Sequence, residues 1–319
     1  MSSLFAQIRS AAAEVARDAK FVRLREERIG PFAASLSFQG LPEPVYDTEH
    51  HFRGGDVETA AFVLTLDSVN FGSGYFPHLR KRAGMSGYFT VASSLTDHWQ
   101  QHGPLTPAQL RGISAESCAT IFGQTLDDPV VAELMGLLAR ALRDLSAWLQ
   151  TYDDEPLAPF AASAGSAERL IEQLATMPLY RDVALYHSQP VPLYKRAQLL
   201  TADMALAFDH QGPGAFHDLD DLTIFADNLV PHVLRVDGLL RYEPDLLTRI
   251  NDGQLIPVGS PEETEIRAVG LHAVERVADA LRTQGTDVTA RELDYLLWHR
   301  GQAPHYKAQP RHRARSVFY

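Results

Sequence analysis

LTIFADNLVPHVLR, residues 222–235, has the spacing of a helix interrupted at its one acid. Leu222, Phe225, Ala226, Leu229 and Val233 recur at intervals of three and four and make one apolar stripe, with Asp227 beside it, next to Val230 and Leu234. Pro231, four residues after Asp227, lacks the N–H that would bond the Asp227 carbonyl, and its ring crowds that carbonyl. A kink or restart is therefore expected near Asp227, leaving a carboxylate and backbone polar groups facing a cavity. As a structural residue, Asp227 would cap or salt-bridge a helix junction, and the stretch by itself favours that role over a catalytic one.

Outward from this stretch the chain continues in helical patterns. Phe5, Ile8, Ala12 and Val15 form an amphipathic first helix, and further helices are expected over 56–70, 87–101, 166–176 and 193–208. Thr106-Pro107-Ala108-Gln109, Ser260-Pro261-Glu262-Glu263 and Thr289-Ala290-Arg291-Glu292 read as capping boxes, and Asp128-Pro129 opens the long helix that follows it. The last helix is expected to close at Gly301. Strand-like alternation is nearly absent, so the expected class is all-α, with one small hairpin in the segment 21–40. The organisation expected is a single helical catalytic domain over 1–319, with a flexible connection near 153–166. The basic tail 305–319 is expected to be mobile, the alternative being that it folds back over a pocket.

At 319 residues, 45% hydrophobic and 22% charged, the chain is long enough for one large or two modest cores. A net charge of −11 disfavours duplex nucleic acid and anionic membrane surfaces as main partners and favours a small ligand. The single cysteine, Cys118, excludes an internal disulfide and a cysteine-built metal site, and fits a reducing cytoplasm. The N-terminal helix is not a signal peptide, and no uncharged run reaches the roughly 20 residues of a membrane span, so a soluble, cytoplasmic protein is expected.

Several groups could carry chemistry. Asp294 and Trp298, and likewise Tyr295 and His299, lie four apart on a helix, so each pair shares a face. Acid beside aromatic suits a flat, cationic ligand, although a core tryptophan flanked by a rim aspartate is at least as common an arrangement. Lys195-Arg196 sits near a helix start, where backbone N–H groups and the helix dipole favour an anion such as phosphate. His50-His51 and His217-Asp218 admit a metal-dependent phosphohydrolase, but no HExxH, cysteine pair or acidic calcium loop supports it. No GxGxxG or GxxxxGK[ST] is present, so no nucleotide-cofactor fold is expected.

Seven blocks in collinear order, DSVNFGSG (67–74), MSGYF (85–89), MPLYRD (177–182), VPLYKRAQLL (191–200), LTIFADNLVPHVL (222–234), EIRA (265–268) and LDYLLW (293–298), closely resemble the queuosine salvage protein family. The similarity spans roughly 45–300. The resemblance implies a helical fold related to helix-hairpin-helix DNA glycosylases and N-glycosidase action on queuosine 5′-monophosphate, releasing queuine and ribose 5-phosphate, in salvage linked to tRNA queuosine modification. It places the catalytic carboxylate at Asp227, the family lysine at Lys195, the acid–aromatic pair at Asp294 and Tyr295, and a histidine at His51. The family aspartate that follows the tryptophan is replaced here by His299. Asn70, Phe71, Phe225, Asn228, Trp298 and His299 complete the expected substrate contacts.

That chemistry agrees with the residues. Breaking an N-glycosidic bond builds positive charge at the ribose C1′, which an ionised carboxylate in a dry pocket can stabilise or attack. Queuine is a 7-deazapurine, so help to the leaving group must come through its exocyclic edge. No metal and no organic cofactor are expected. The alternatives from other classes are a metal-dependent nucleotide phosphohydrolase and a non-catalytic nucleobase binder, and the released product distinguishes the three.

Overall fold

Helices dominate a computed structural model that describes residues 2–36 and 44–319, and the strands form only two two-stranded sheets. The helical class is as expected, and capping residues set several of the starts. Thr106 and Gln109 form a reciprocal box with Pro107 at the first helical position, Asp128 accepts the Val130 amide at 2.8 Å, and Thr289 and Glu292 form a second reciprocal box. At Ser260 the expected box is incomplete. The Ser260 amide is already bonded to the Pro257 carbonyl, and the Glu263 carboxylate instead accepts from Gly259 and approaches Arg267 to 3.5 Å.

The described residues form two compact units: Met1–Glu43, Asp182–Lys195 and Asp218–Arg315 in the first, and Pro44–Arg181, Arg196–His217 and Ser316–Tyr319 in the second. The helix Pro261–Thr283 is the centre of the first unit and packs against the helices Leu4–Asp18, Ile29–Ser35, Val230–Val236 and Ala290–Arg300. Glu265 on this helix is fully buried, and its oxygens accept the Lys20, Phe21 and Val22 amides and the Tyr186 hydroxyl at 2.6–3.0 Å. Every lone pair of a buried carboxylate needs such a donor. The same bonds fix the start of the strand Val22–Leu24.

That strand pairs antiparallel with Leu240–Tyr242, so the segment 21–40 contributes a long-range strand and the helix Ile29–Ser35, not a local hairpin; its residues 37–40 lie outside the described ones. A hairpin occurs instead at Val183–Tyr186 and Gln189–Pro192. Its two turn residues, His187 and Ser188, have φ of 48° and 67°, the positive pair that a tight two-residue hairpin loop requires.

In the second unit the helix Pro129–Leu149 is flanked by Asp56–Val69, Pro107–Gly112 and Ala115–Ile121, and Phe62, Trp99, Leu134 and Cys118 fill the core between them. The stretch near 153–166 belongs to this unit and contains the helix Ala158–Ser163.

The C-terminal residues are packed. Arg235 donates to the Pro310 carbonyl at 2.9 Å, the Ile256 amide to Arg313 at 2.8 Å, and the Gly72 amide to Tyr319 at 3.0 Å. In RHRARS, residues 311–316, His312, Ala314 and Ser316 are buried while Arg311 is exposed and Arg313 and Arg315 are half-buried, the period-two pattern of an extended chain lying on a surface. No helix among the described residues is long and apolar enough to cross a membrane.

Arg267, 1% exposed, is the main electrostatic link within the first unit. Its guanidinium reaches both Asp182 oxygens, at 2.9 and 2.5 Å, and its Nε donates to the Ala226 carbonyl at 2.8 Å. Arg267→Met would keep most of the volume and strand the Asp182 carboxylate in the interior. Breaking a buried pair in this way costs about 3–5 kcal/mol, and denaturant unfolding should show a loss of that order. A loss below about 1 kcal/mol would mean that Asp182 re-solvates freely.

Candidate active site

The residues from Leu222 to Leu229 do not form a helix. They run as an irregular buried segment, and the helix begins only at Val230 and ends at Val236. Pro231 therefore lies in the first turn, where a missing N–H costs nothing, instead of breaking a helix already under way. Backbone groups of the segment are satisfied from a distance: Arg267 takes the Ala226 carbonyl, and the Asp294 carboxyl takes the Phe225 amide at 2.9 Å.

Asp227 sits where this segment turns into the helix. Its Oδ1 accepts the Leu229 and Val230 amides at 2.7 and 3.2 Å, so the expected capping role is present. Its Oδ2 has no hydrogen-bond partner among the described residues, and the side chain is only half-buried. One oxygen is thus fixed by two helix-start amides, and the other has no such anchor.

Asp294, 5% exposed, stands on the helix Ala290–Arg300. Burial first, and then the charge of Asp227, raises its pKa well above the usual carboxylate range; the Phe225 amide and the Lys195 ammonium oppose the shift. Asp227, Asp294 and Lys195 therefore share one electrostatic neighbourhood. Lys195 is itself buried, and its amide donates to Asp182 Oδ2 at 3.1 Å, so the first amide of its helix is already taken by a carboxylate. Phe225 is half-buried, and Asn228, 3% exposed, donates to the His312 carbonyl at 3.3 Å.

Tyr295, Trp298 and His299 are half-buried on the Asp294 helix. The His299 ring lies 4.2 Å from Tyr295 and 5.2 Å from Trp298, both edge-on, and burial lowers its pKa, so it is a neutral aromatic where the family resemblance implies an acid. Arg311, from the packed C-terminal stretch, was not anticipated. Its side chain remains exposed; local desolvation lowers its pKa and the Asp227 carboxylate acts in the opposite direction. The alternation in residues 311–316 was the one available sign that this arginine is held in place.

The other expected contacts lie in the second unit. His51 Nε2 is 2.8 Å from the Tyr88 hydroxyl, its ring is 5.3 Å from Tyr46, and burial pushes its pKa down to about 4, so the imidazole is neutral. Asn70 donates to Asp67 Oδ1 at 3.2 Å. Phe71, 2% exposed, covers the Arg196 guanidinium at 4.7 Å, with Tyr180 at 4.4 Å. Arg196 donates to the carbonyls of Asp67, Ser68, Leu179 and Val317, so this arginine of the Lys195-Arg196 pair is bound up in structure. Among the described residues, no three His, Cys, Asp or Glu side chains converge as metal ligands.

Fold and geometry define a predominantly helical protein in which a half-buried, helix-capping carboxylate, Asp227, and a lysine, Lys195, both act electrostatically on a buried carboxyl, Asp294, whose pKa is raised. A family model described as "Queuosine salvage protein" matches residues 50–319. Relatives named queuosine 5′-phosphate N-glycosylase/hydrolase include one from Sphaerobacter thermophilus, 36% identical over 96% of this chain and 95% of that protein. Another, from Dictyostelium discoideum, is 32% identical over 82% and 78%, and one from Mus musculus is 29% identical over 84% of each. The chain belongs to the queuosine salvage protein family.

The Asp294 shift fixes a pH dependence of stability. A carboxyl whose folded pKa lies above its unfolded value, about 3.9, holds its proton more tightly when folded. Its contribution therefore declines as pH rises from the unfolded value through the folded one. Asparagine at 294 keeps an acceptor for the Phe225 amide and cannot ionise. The stability of Asp294→Asn relative to the parent should increase as pH rises above the unfolded carboxyl value of about 3.9 in denaturant titrations, and parallel pH profiles for the two proteins would show that folding does not raise the Asp294 pKa.

Proposed function

We propose that this protein is an N-glycosidase that hydrolyses queuosine 5′-monophosphate to queuine and ribose 5-phosphate, with Asp227 as the catalytic carboxylate. The observation that carries the proposal is the asymmetry of Asp227: Oδ1 is anchored by two amides and Oδ2 is left for a ligand, beside the buried Asp294. The names of the relatives support the same chemistry.

In this mechanism the C1′–N bond lengthens, cationic charge grows at C1′, and the anion of Asp227 stabilises it in a partly desolvated setting. Water then adds to C1′ and loses a proton, while the base leaves with a proton. Asp294, whose pKa is raised by burial and by the Asp227 charge, is suited to donate to the exocyclic edge of the base; a carboxyl acid beside a second carboxylate is a recurrent division of labour in glycoside hydrolysis. Tyr295, Trp298 and Phe225 offer half-exposed aromatic surface for the base, Asn228 offers an amide, and Lys195 supplies positive charge for the phosphate. His51 is assigned as a neutral hydrogen-bonding contact. Phe71 acts through Arg196, which it covers.

Two substitutions test the assignment. Asp227→Asn keeps the shape and an acceptor for the Leu229 and Val230 amides but carries no charge. Removing a preorganised stabilising group costs about 3–4 kcal/mol, a factor of hundreds in turnover. The variant should bind the nucleotide within about tenfold of the parent, because the ground-state sugar is neutral, and release almost no queuine by mass analysis. Retention of more than about a tenth of parental turnover would reduce Asp227 to its capping role.

Lys195→Ala should weaken queuosine 5′-monophosphate by roughly tenfold or more, the size of one charged hydrogen bond, with a much smaller effect on unphosphorylated queuosine. Equal losses for both ligands, measured by calorimetry, would assign Lys195 to the carboxyl pair alone.

A further inference from the structure

The second unit contains a cavity of about 590 Å³ that includes none of the residues proposed for catalysis or substrate binding. One wall is a face of the helix Gly87–His102: Thr90, Ser94, Asp97, His98 and Gln101 recur at three- and four-residue intervals and so point the same way. The facing wall is the loop carrying Arg80, Lys81 and Arg82, and the end of the helix Ala115–Ile121 contributes Thr120.

Charge is concentrated here against the trend of the chain. Net charge is −11 overall, yet residues 78–84, HLRKRAG, hold three cations and no acid, and Asp97 is the one acid in the lining. Asp97 pairs with Arg82 at 2.7 Å. Arg80 and Lys81 are exposed and have no ion-pair partner among the described residues.

The loop is also rigidly presented. Gln124, 9% exposed, accepts the Arg80 amide at 2.9 Å and donates to the Arg80 and Phe122 carbonyls at 3.0 and 2.9 Å, while Thr90 accepts the Arg82 amide at 3.1 Å. These bonds prepay the ordering that binding would otherwise demand of a loop. Two imidazoles, His98 and His102, stand 4.8 Å apart on the opposite wall as further hydrogen-bonding groups.

We propose that this cavity binds a chain of two or more linked phosphate groups. Three adjacent cations against one acid, two of them unpaired, call for more than one negative charge, and a cavity of this size is larger than a single phosphate fills. Hydroxyl, amide and imidazole donors around the rim suit phosphate oxygens. The shared chemistry admits two sources, a small oligophosphate such as a nucleoside polyphosphate or the backbone of a short single-stranded polynucleotide.

The test uses the full chain and two probes, inorganic tripolyphosphate and a single-stranded RNA octamer without terminal phosphates, titrated by calorimetry at low and high salt. At least one probe should bind the parent, more weakly at high salt, and the doubly substituted Arg80→Ala/Lys81→Ala protein should bind it about tenfold less tightly or worse. Both side chains are exposed and lie outside the Asp227 site, so release of queuine should be unchanged. Binding of tripolyphosphate assigns a small ligand, and binding of RNA alone assigns a polynucleotide. If neither probe binds, or if the double variant binds as well as the parent, the cavity is not an oligophosphate site.

Discussion

The ion pair between Arg267 and Asp182 holds the first unit's candidate chemistry in register. Arg267 is bonded to both Asp182 oxygens and to the Ala226 carbonyl, and Asp182 takes the amide of Lys195. The residue before Asp227 and the backbone of Lys195 are thereby fixed through one guanidinium–carboxylate pair. Burying such a pair is not a cheap source of stability, since desolvation of both ions offsets most of their attraction. Its value lies in direction: a bidentate fork allows little rotation, so the segment that carries Asp227 can remain irregular and still be held in one conformation.

Irregular backbone at that point is what separates the two oxygens of Asp227. Within a helix a carboxylate on a surface stripe would be free to rotate and solvate both oxygens. At the junction, two helix-start amides hold Oδ1, and Oδ2 accepts no hydrogen bond from the described residues. Asp294 experiences the opposite environment, full burial and a neighbouring anion, with a single amide as its bonded donor. Two identical side chains thus sit in different surroundings, and the Phe225 amide mechanically couples them by belonging to the segment that precedes Asp227.

Much of the fold was legible because helix starts are local. A side-chain cap specifies a start whatever the tertiary context when proline follows it, as at Asp128, when glutamate stands at the third helical position, as after Thr289, or when proline and a third-position glutamine occur together, as after Thr106. The interruption near Asp227 is legible from Pro231, and the helix does start just after the aspartate, at Val230; the irregular path of 222–226 is not legible, because its apolar spacing satisfies the helical period while the partners that stabilise that path, Arg267 and Asp294, lie far away in sequence. The hairpin at 183–192 lacked a signal for the same kind of reason: His187 and Ser188 adopt positive φ without the glycine or asparagine that usually announces it. The tail misled through composition. Its arginines suggest a solvated end, whereas His312, Ala314 and Ser316 between and after them are what the surface receives.

The blocks that carry the family resemblance mix chemistry with scaffolding, and burial together with bonding tells them apart. In EIRA, Glu265 and Arg267 are fully buried and committed to amides, a hydroxyl, a carboxylate and a carbonyl. In VPLYKRAQLL, Arg196 donates to four carbonyls between two aromatic rings. Charges committed in this way have no capacity left for a substrate, however distinctive their motif. Asp227 stands apart because it is charged, only half-buried and bonded through one oxygen. Motif spacing locates the candidates, and the unfilled bonding capacity of a positioned group distinguishes the one that can act on a ligand.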